Sequence, residues 1–370
     1  MPGVYISYPF CAQKCTYCNF ASGVLPREWE AKYVDALHSE ISKTQWPWTP
    51  ETIYLGGGTP SQIDSEALAH LLAAIPGRSH WTEAAHWCEA AHWIEATMEA
   101  APGTITREKA EAWRKAGINR VSFGVQSFVT QELARTGRKH TAEIVEHEVA
   151  LLRNAGIENM NLDLIAGLPS QTEASWNASL DWIERLQPPH VSVYMLEIDE
   201  DSRLGRELIA GGPRYGAADV PSDDAIATFY EIATERLKRI GIERYEISNF
   251  AKPGRESRHN LKYWRREPYL GFGADAHSFD GEARWQNPES AADYIAGFPA
   301  PEHVPADPRG EKWFLGLRLR EGVELPVENG DFAEVIQNML TEGLAERDGS
   351  RLRLTDRGIL VSNEIFTEFV

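Results

Sequence analysis

Short β-branched and aromatic runs alternate with longer amphipathic stretches along the chain. VYISY (Val4 to Tyr8), TIYL (Thr52 to Leu55), IEATME (Ile94 to Glu99), RVSFGV (Arg120 to Val125), NMNLDLI (Asn159 to Ile165) and HVSVYML (His190 to Leu196) have the length and composition of buried strands. Between the first two, Trp29, Tyr33, Val34, Leu37 and Ile41 recur at helical spacing. Similar patterns fill the later gaps at Lys109 to Ala116, Ala142 to Asn154, Ser175 to Leu186 and Ile226 to Ile240. Repeated strand-then-helix units predict an α/β protein with a parallel sheet, either doubly wound or an incomplete (β/α)6 barrel. In both architectures chemistry collects where the strands end. The motifs sit there: CAQKCTYC after the first strand, GGGTP after the second, EAAP after the third, GVQSF at the end of the fourth and DLIAGLP at the end of the fifth.

Two segments break this rhythm. HWTEAA, HWCEAA and HWIEAT run consecutively from His80 to Thr97. Six residues advance a helix by about 600°, so the tryptophans share no face, and the repeat is expected to be a surface insert rather than a His-rich metal tract. Cys88 belongs to that repeat and is set aside as a ligand. GFPAPEHVPADP, Gly297 to Pro308, reads as a linker between a main unit, residues 1–298 with a barrel core ending near 245, and a C-terminal unit, residues 309–370. In the latter, a helix from Arg309, another from Glu328 to Leu340, a hairpin turning at Asp348 and Gly349 and a last helix predict a small winged-helix-like α+β module. Its eight basic and twelve acidic side chains leave a net −4, which suits a packing lid better than a DNA reader.

Composition narrows the function. Hydrophobic content of 42% and charged content of 25% are those of a globular protein. Thirty-seven basic and fifty-five acidic side chains give a net charge of −18, which repels phosphate backbones and argues against nucleic acid as a partner. No run approaches the roughly 20 apolar residues of a membrane span, and no basic leader precedes an apolar stretch, so a cytoplasmic protein is expected. Three of four cysteines, Cys11, Cys15 and Cys18, crowd into eight residues, a poor disulfide framework in a reducing compartment. Metal binding or thiolate chemistry is the better reading. A structural zinc wants four ligands, and the nearest histidine, His38, lies in a predicted helix. A three-thiolate zinc with an open position is one possibility. A 4Fe-4S cluster held at three corners, its last iron open to an exchangeable ligand, is the other.

CAQKCTYC has the CxxxCxxC spacing of radical S-adenosylmethionine (SAM) enzymes, in which the open iron chelates SAM. Together with YLGGGTPS, EAAPGTIT, RVSFGVQSF, TGRKH, NLDLIAGLP and GFGADAHSF, it resembles the oxygen-independent coproporphyrinogen III oxidase family over essentially the whole chain. The resemblance implies an incomplete parallel barrel of radical SAM type. It implies a cluster on Cys11, Cys15 and Cys18, a first SAM on Tyr5, Gly57 and Glu99, and a second SAM on Tyr17, Gly58, Thr59, Gln126, Arg138 and Asp163. Taken alone, the glycines also suit a tight turn and Glu99 a solvated acid. Asp163, in the apolar strand NLDLI, needs a ligand, Arg138 or another ion-pair partner to offset burial.

Two departures point to the heme chaperone branch of that family. Phe20 stands where the oxidase pattern has a further cysteine, and Cys11 follows with little N-terminal lead. SRHNLKYW carries an HNxxYW pattern, His259, Asn260, Tyr263 and Trp264, associated in that branch with heme. The resemblance implies heme contact by His259 (as axial ligand), Tyr263 and Trp264; the chemistry of the segment agrees, since Arg258, Arg265 and Arg266 could meet propionates through charge-assisted hydrogen bonds. A packed turn with a core histidine is the alternative. The functions implied are a heme chaperone, with heme, an acceptor protein and an electron donor as partners, or a coproporphyrinogen oxidase. A radical SAM enzyme acting on another substrate is the remaining possibility.

Overall fold

The computed structural model describes residues 2–77, 93–325 and 330–370. Most of the HWxEAA repeat, with Cys88, lies outside the described residues. Its last tryptophan, Trp93, does not: it is buried and donates from Nε1 to the Pro76 carbonyl at 2.9 Å, leading into the third strand as core.

The elements follow the predicted alternation: β1 (Gly3–Tyr8), α1 (Arg27–Lys43), β2 (Thr52–Gly57), α2 (Ser65–Ala73), β3 (Glu95–Ala100), α3 (Arg107–Ala116), β4 (Arg120–Gln126), α4 (Thr130–Thr136), α5 (Ala142–Asn154), β5 (Asn159–Ala166), α6 (Glu173–Leu186), β6 (His190–Met195), α7 (Arg203–Ile209) and α8 (Asp223–Arg239). Strands β1 to β6 pair in parallel and in chain order, each with its successor. No strand order reverses, which removes the doubly wound alternative. The outer helices also pack in succession, α1 on α2, α2 on α3, α3 on α5, α5 on α6 and α6 on α8, as on the outside of a barrel. Their apolar faces are buried: Trp113 of α3 and Trp176 of α6 are fully enclosed, and Trp176 Nε1 donates to the Phe229 carbonyl at 2.7 Å.

The barrel does not close. β6 is flanked by antiparallel β8 (Asn249–Ala251), which pairs with β7 (Glu243–Arg244). On the other side β1 is flanked by parallel β9 (Tyr269–Phe272), then antiparallel β10 (His277–Phe279), β11 (Ala283–Gln286) and β12 (Val304–Pro305). These flanking strands are too short to leave a periodic signal, and β12 corrects the linker reading, because part of the Pro-rich passage is stitched to the sheet edge. Between β8 and β9 runs α9 (Arg258–Trp264), and α10 (Ala291–Ala296) precedes β12.

The last segment comprises α11 (Pro308–Gly316), β13 (Val323–Glu324), α12 (Ala333–Thr341), β14 (Ala345–Asp348), β15 (Arg351–Leu354), α13 (Asp356–Leu360) and α14 (Ser362–Thr367), with a three-stranded sheet in the order β13-β15-β14. This matches the helix, helix and hairpin expected; the expected helix start at Glu328 lies outside the described residues, and the hairpin turns at Gly349 and Ser350. Trp313 stacks on Phe369 at 5.7 Å to form its core. Glu311 docks it, accepting from Arg266 Nε at 2.7 Å and Arg284 Nε at 2.7 Å. Arg266 is therefore spent on the interface and is withdrawn as a propionate partner.

Helix α9 seals the amino end of the barrel. Glu95, buried at the start of β3, accepts from the Arg258 and His259 amides, each at 3.0 Å, and so places a carboxylate on the helix N-terminus. Replacing it leaves those buried donors without partners. Glu95→Ala is expected to cost about 2–4 kcal/mol, read as a lower urea midpoint by circular dichroism; a loss under about 1 kcal/mol would show that α9 is held by other means.

Candidate functional site

The cysteines sit on the loop that leaves β1, and the loop is clamped at its base. The Gly58 amide donates to the Tyr8 carbonyl at 2.7 Å and the Thr59 amide to Phe10 at 2.9 Å, while Cys11 donates to Gly23 at 2.8 Å and Gly23 to Pro9 at 2.9 Å. A Cβ at Gly58 would fall 2.6 Å from the Phe10 carbonyl oxygen, so only glycine permits this approach. Farther along, Thr16 donates to Thr136 at 3.2 Å and accepts from Leu204 at 2.8 Å, and the Arg203 guanidinium donates to the Lys14 carbonyl. Cys11, Cys15 and Cys18 are free, half-buried thiols. Burial pushes the Cys11 and Cys18 thiols up, with the Ser22 and Thr59 hydroxyls pulling Cys11 partly back. The surroundings of Cys11 and Cys18 therefore favour the neutral thiols, and a bound metal centre would supply the positive charge that their thiolates need.

The thiols face a cavity of about 1050 Å³ at the carboxyl ends of the strands. That lies at the upper end of the roughly 300–1,000 Å³ usual for small-ligand sites. Gly57, Gly58 and Thr59 line it after β2, Glu99 at the end of β3, Gln126 at the end of β4, Asp163 from β5, and Tyr17 and Arg138 from loops. Eight of the nine SAM candidates thus meet the cysteines in one space. Tyr5 does not line it: its ring stacks on Tyr54 at 6.2 Å, and Tyr54 in turn donates to Glu99 Oε1 at 2.8 Å.

Gln126 is delivered by a register shift of β4 against β5 and by a left-handed backbone, φ 69°. Such a conformation is costly for a non-glycine residue and is often kept where it aims a side chain. Gly124 leaves room for it: a Cβ there would stand 3.1 Å from Gln126 Nε2 and 3.5 Å from an Arg138 nitrogen. Arg138 donates from Nη1 to the Gly124 carbonyl at 2.9 Å. Around this cavity six buried polar atoms, Tyr17 Oη, Ser22 Oγ, Gln126 Oε1, Arg138 Nε, His140 Nε2 and Arg318 Nε, find no partner among the described residues. Each would cost about 1–3 kcal/mol if left dry, so their convergence fits a polar ligand that completes them. The donor set suits a cluster with SAM: three thiols beside amide, guanidinium and carboxylate groups.

The two acids are tuned differently from solvated ones. Burial, with Asp163 adding to it, pushes Glu99 up to about 7 against the opposing hydrogen bond from Tyr54. Burial also raises Asp163, which accepts from Asn161 Nδ2 at 2.6 Å. Asp163 has no ion pair with Arg138, which acts on it only at a distance; the polar ladder Ser122, Asn161 and Ser192 replaces the expected partner. His140, within the TGRKH motif, is an additional site residue. Burial and the neighbouring Arg138 lower it to about 4, leaving a neutral imidazole at the cavity. Ser22, Tyr194, Arg318 and Leu360 to Glu364 also line the cavity, the last group from α13 and α14. Nothing in sequence spacing connects them to the cysteines.

The heme candidates lie elsewhere. His259 is fully buried beneath the barrel, its Nδ1 2.9 Å from Thr52 Oγ1 at the first residue of β2 and its Nε2 2.8 Å from Tyr263 Oη. Burial above all, with Lys262 and Arg120 nearby, lowers it to about 3. Both ring nitrogens are engaged within the protein, the arrangement of the packed core histidine that was the alternative to an axial ligand. Tyr263 serves that network and meets Tyr269 edge-on at 4.7 Å. Trp264 carries the Arg318 guanidinium on its ring face at 4.3 Å. Arg258 and Arg265 line a separate cavity of about 890 Å³ on the outer side of α9.

Comparison with known proteins agrees with this geometry. Residues 5–183 match the radical SAM superfamily. A heme chaperone HemW of Bacillus subtilis is 35% identical over 394 residues, covering 100% of this chain and 99% of the relative. One from Mycobacterium tuberculosis is 34% identical, covering 98% and 93%. Among solved structures, the coproporphyrinogen III oxidase HemN of Escherichia coli superposes with a TM-score of 0.81 at 21% identity, covering 100% of this chain and 89% of that one, a likeness of fold. The chain belongs to the radical SAM superfamily and, within it, to the HemW family.

Proposed function

We propose that this protein is a heme chaperone, binding heme and passing it to an acceptor protein, with a 4Fe-4S cluster and SAM housed at the carboxyl ends of the strands. The observation that carries this reading is the meeting of three thiols and six unpartnered polar atoms on one cavity, in a chain matched end to end by heme chaperones. Residues 1–298 would supply the cofactor contacts, and the 309–370 module would cover the cavity. The acid charge balance and the absence, among the described residues, of a helix long and apolar enough to cross a membrane are compatible with work in the cytoplasm.

Cys11, Cys15 and Cys18 would hold three irons of the cluster, which supplies an open iron for SAM and, with an electron donor, one-electron chemistry. The chain's own groups do the rest. Because the Gly58 and Thr59 amides are spent on the clamp, the glycine turn offers carbonyl oxygens, which accept from an amine. Glu99, backed by Tyr54 over Tyr5, is placed to accept from a ribose diol. Tyr17, Gln126, Arg138 and Asp163 form a second polar set for a further SAM, with Thr59 beside Cys11. The oxidase alternative shares this frame. Phe20, 62% exposed near the cluster loop, occupies the position of its further cysteine.

Anaerobic incubation of reconstituted protein with coproporphyrinogen III, SAM and a reductant separates the two readings. No decarboxylated product is expected, while hemin titration should give a saturable absorbance change; turnover to decarboxylated porphyrinogen would transfer the protein to the oxidase class.

Two predictions concern the site itself. Gly58→Ala should separate the cysteine loop from β2, lowering iron and sulfide per chain after reconstitution while circular dichroism stays native; full cluster loading in the variant would contradict the clamp. Glu99 is charged only above about 7, so SAM affinity should rise with pH through that point. Equilibrium dialysis should show about tenfold tighter binding at pH 8 than at pH 6, flattened in Glu99→Gln. An unchanged pH profile in that variant would assign the titration elsewhere.

A further inference from the structure

Arg318 lines the main cavity, yet its guanidinium makes no hydrogen bond among the described residues, and its Nε is buried and unpartnered. The position is built rather than accidental. Its carbonyl accepts from the Ile247 amide at 3.1 Å, and the Arg320 amide donates to Tyr245 at 3.0 Å, so the backbone is fixed on both sides against the strand region that borders the cavity. Its planar head lies 4.3 Å over the Trp264 ring and 5.8 Å from that of Phe366. The acid beside it, Glu246, is fully buried; its Oε1 accepts from Ser248 and Asn249, while its Oε2 meets Arg318 Nη2 only in a long ion pair at 3.8 Å. A guanidinium with five donors, stacked on an aromatic face and using one nitrogen on that long contact, keeps donors free for the bidentate geometry of a second carboxylate. Elsewhere on the cavity wall Lys14 donates to the Phe20 carbonyl at 3.0 Å and Arg138 Nη1 to Gly124 at 2.9 Å.

We propose that Arg318 is the carboxylate anchor of this cavity, with Trp264 as the platform that orients it. This assigns the last residue of the HNxxYW motif a positioning role through Arg318. The proposal rests on the reading that the cavity receives SAM or a tetrapyrrole, both of which carry carboxylates.

The test compares free-acid with carboxyl-blocked ligands on the anaerobically reconstituted full chain. Hemin is titrated against hemin dimethyl ester by absorbance, and SAM against decarboxylated SAM by equilibrium dialysis. In the wild type at least one pair should favour the free acid by about tenfold or more. In Arg318→Gln that preference should fall to near one, with Arg318→Lys recovering part of it, and the pair that responds identifies the ligand. Trp264→Leu should narrow the same ratio. Each readout is a ratio within one variant, so a uniform loss of folded protein does not imitate the result. Arg318→Gln keeping the wild-type preference in both pairs, or a wild type with no preference, overturns the proposal. A wild type that binds no hemin removes the chaperone reading, and the SAM pair still decides the role of Arg318.

Discussion

The junction between β1 and β2 governs the rest of this molecule. Two parallel strands end side by side, and their following loops must exchange backbone hydrogen bonds at a separation that no side chain at Gly58 would allow. That close approach is what brings a cysteine-bearing loop and a glycine-rich turn to the same rim of the cavity. A helix or a longer loop after β1 would carry the thiols away from Glu99 and Gln126. The open cavity and its unpartnered polar atoms are consequences of this local packing, since the barrel interior is otherwise filled.

The two ends of the barrel treat polar groups in opposite ways. At the amino end, Thr52, Glu95, His190 and His259 are buried with partners inside the protein: His190 meets Asn161 at 2.7 Å and Tyr245 at 2.9 Å. Single atoms there, Arg120 Nε and Asn159 Oδ1, go without partners. At the carboxyl end the unpartnered atoms Tyr17 Oη, Gln126 Oε1, Arg138 Nε and His140 Nε2 gather on one cavity. Residue types alone do not separate these cases, because a histidine among aromatics serves both as a ligand and as a core network.

That ambiguity explains what the amino-acid sequence made legible. The six parallel strands and their helices were readable because each buries a continuous apolar run or stripe, and the cysteines and strand-end motifs followed from their place after those runs. The flanking strands β7 to β12 are two to four residues long and carry no such period. His259 was readable as a functional residue only by resemblance, and its bond to Thr52, 207 positions earlier, could not be read from spacing. Arg318 and α14 reach the cavity through tertiary docking, which has no local signature.

The sheet stops short of a ring, with β7 and β12 as its two ends, and the gap is spanned by the last seventy residues rather than by hydrogen-bonded strands. At the rim the span is tied by exposed pairs such as Asn363 to Glu197 and Arg244 to Asp356; deeper, it is held by Glu311 on Arg266 and Arg284 and by backbone bonds from Ile247 to Arg318 and from Arg320 to Tyr245. Exposed ties are worth about 0–1 kcal/mol each, so the buried carboxylate and the backbone bonds, not the rim, decide how firmly the cavity is covered.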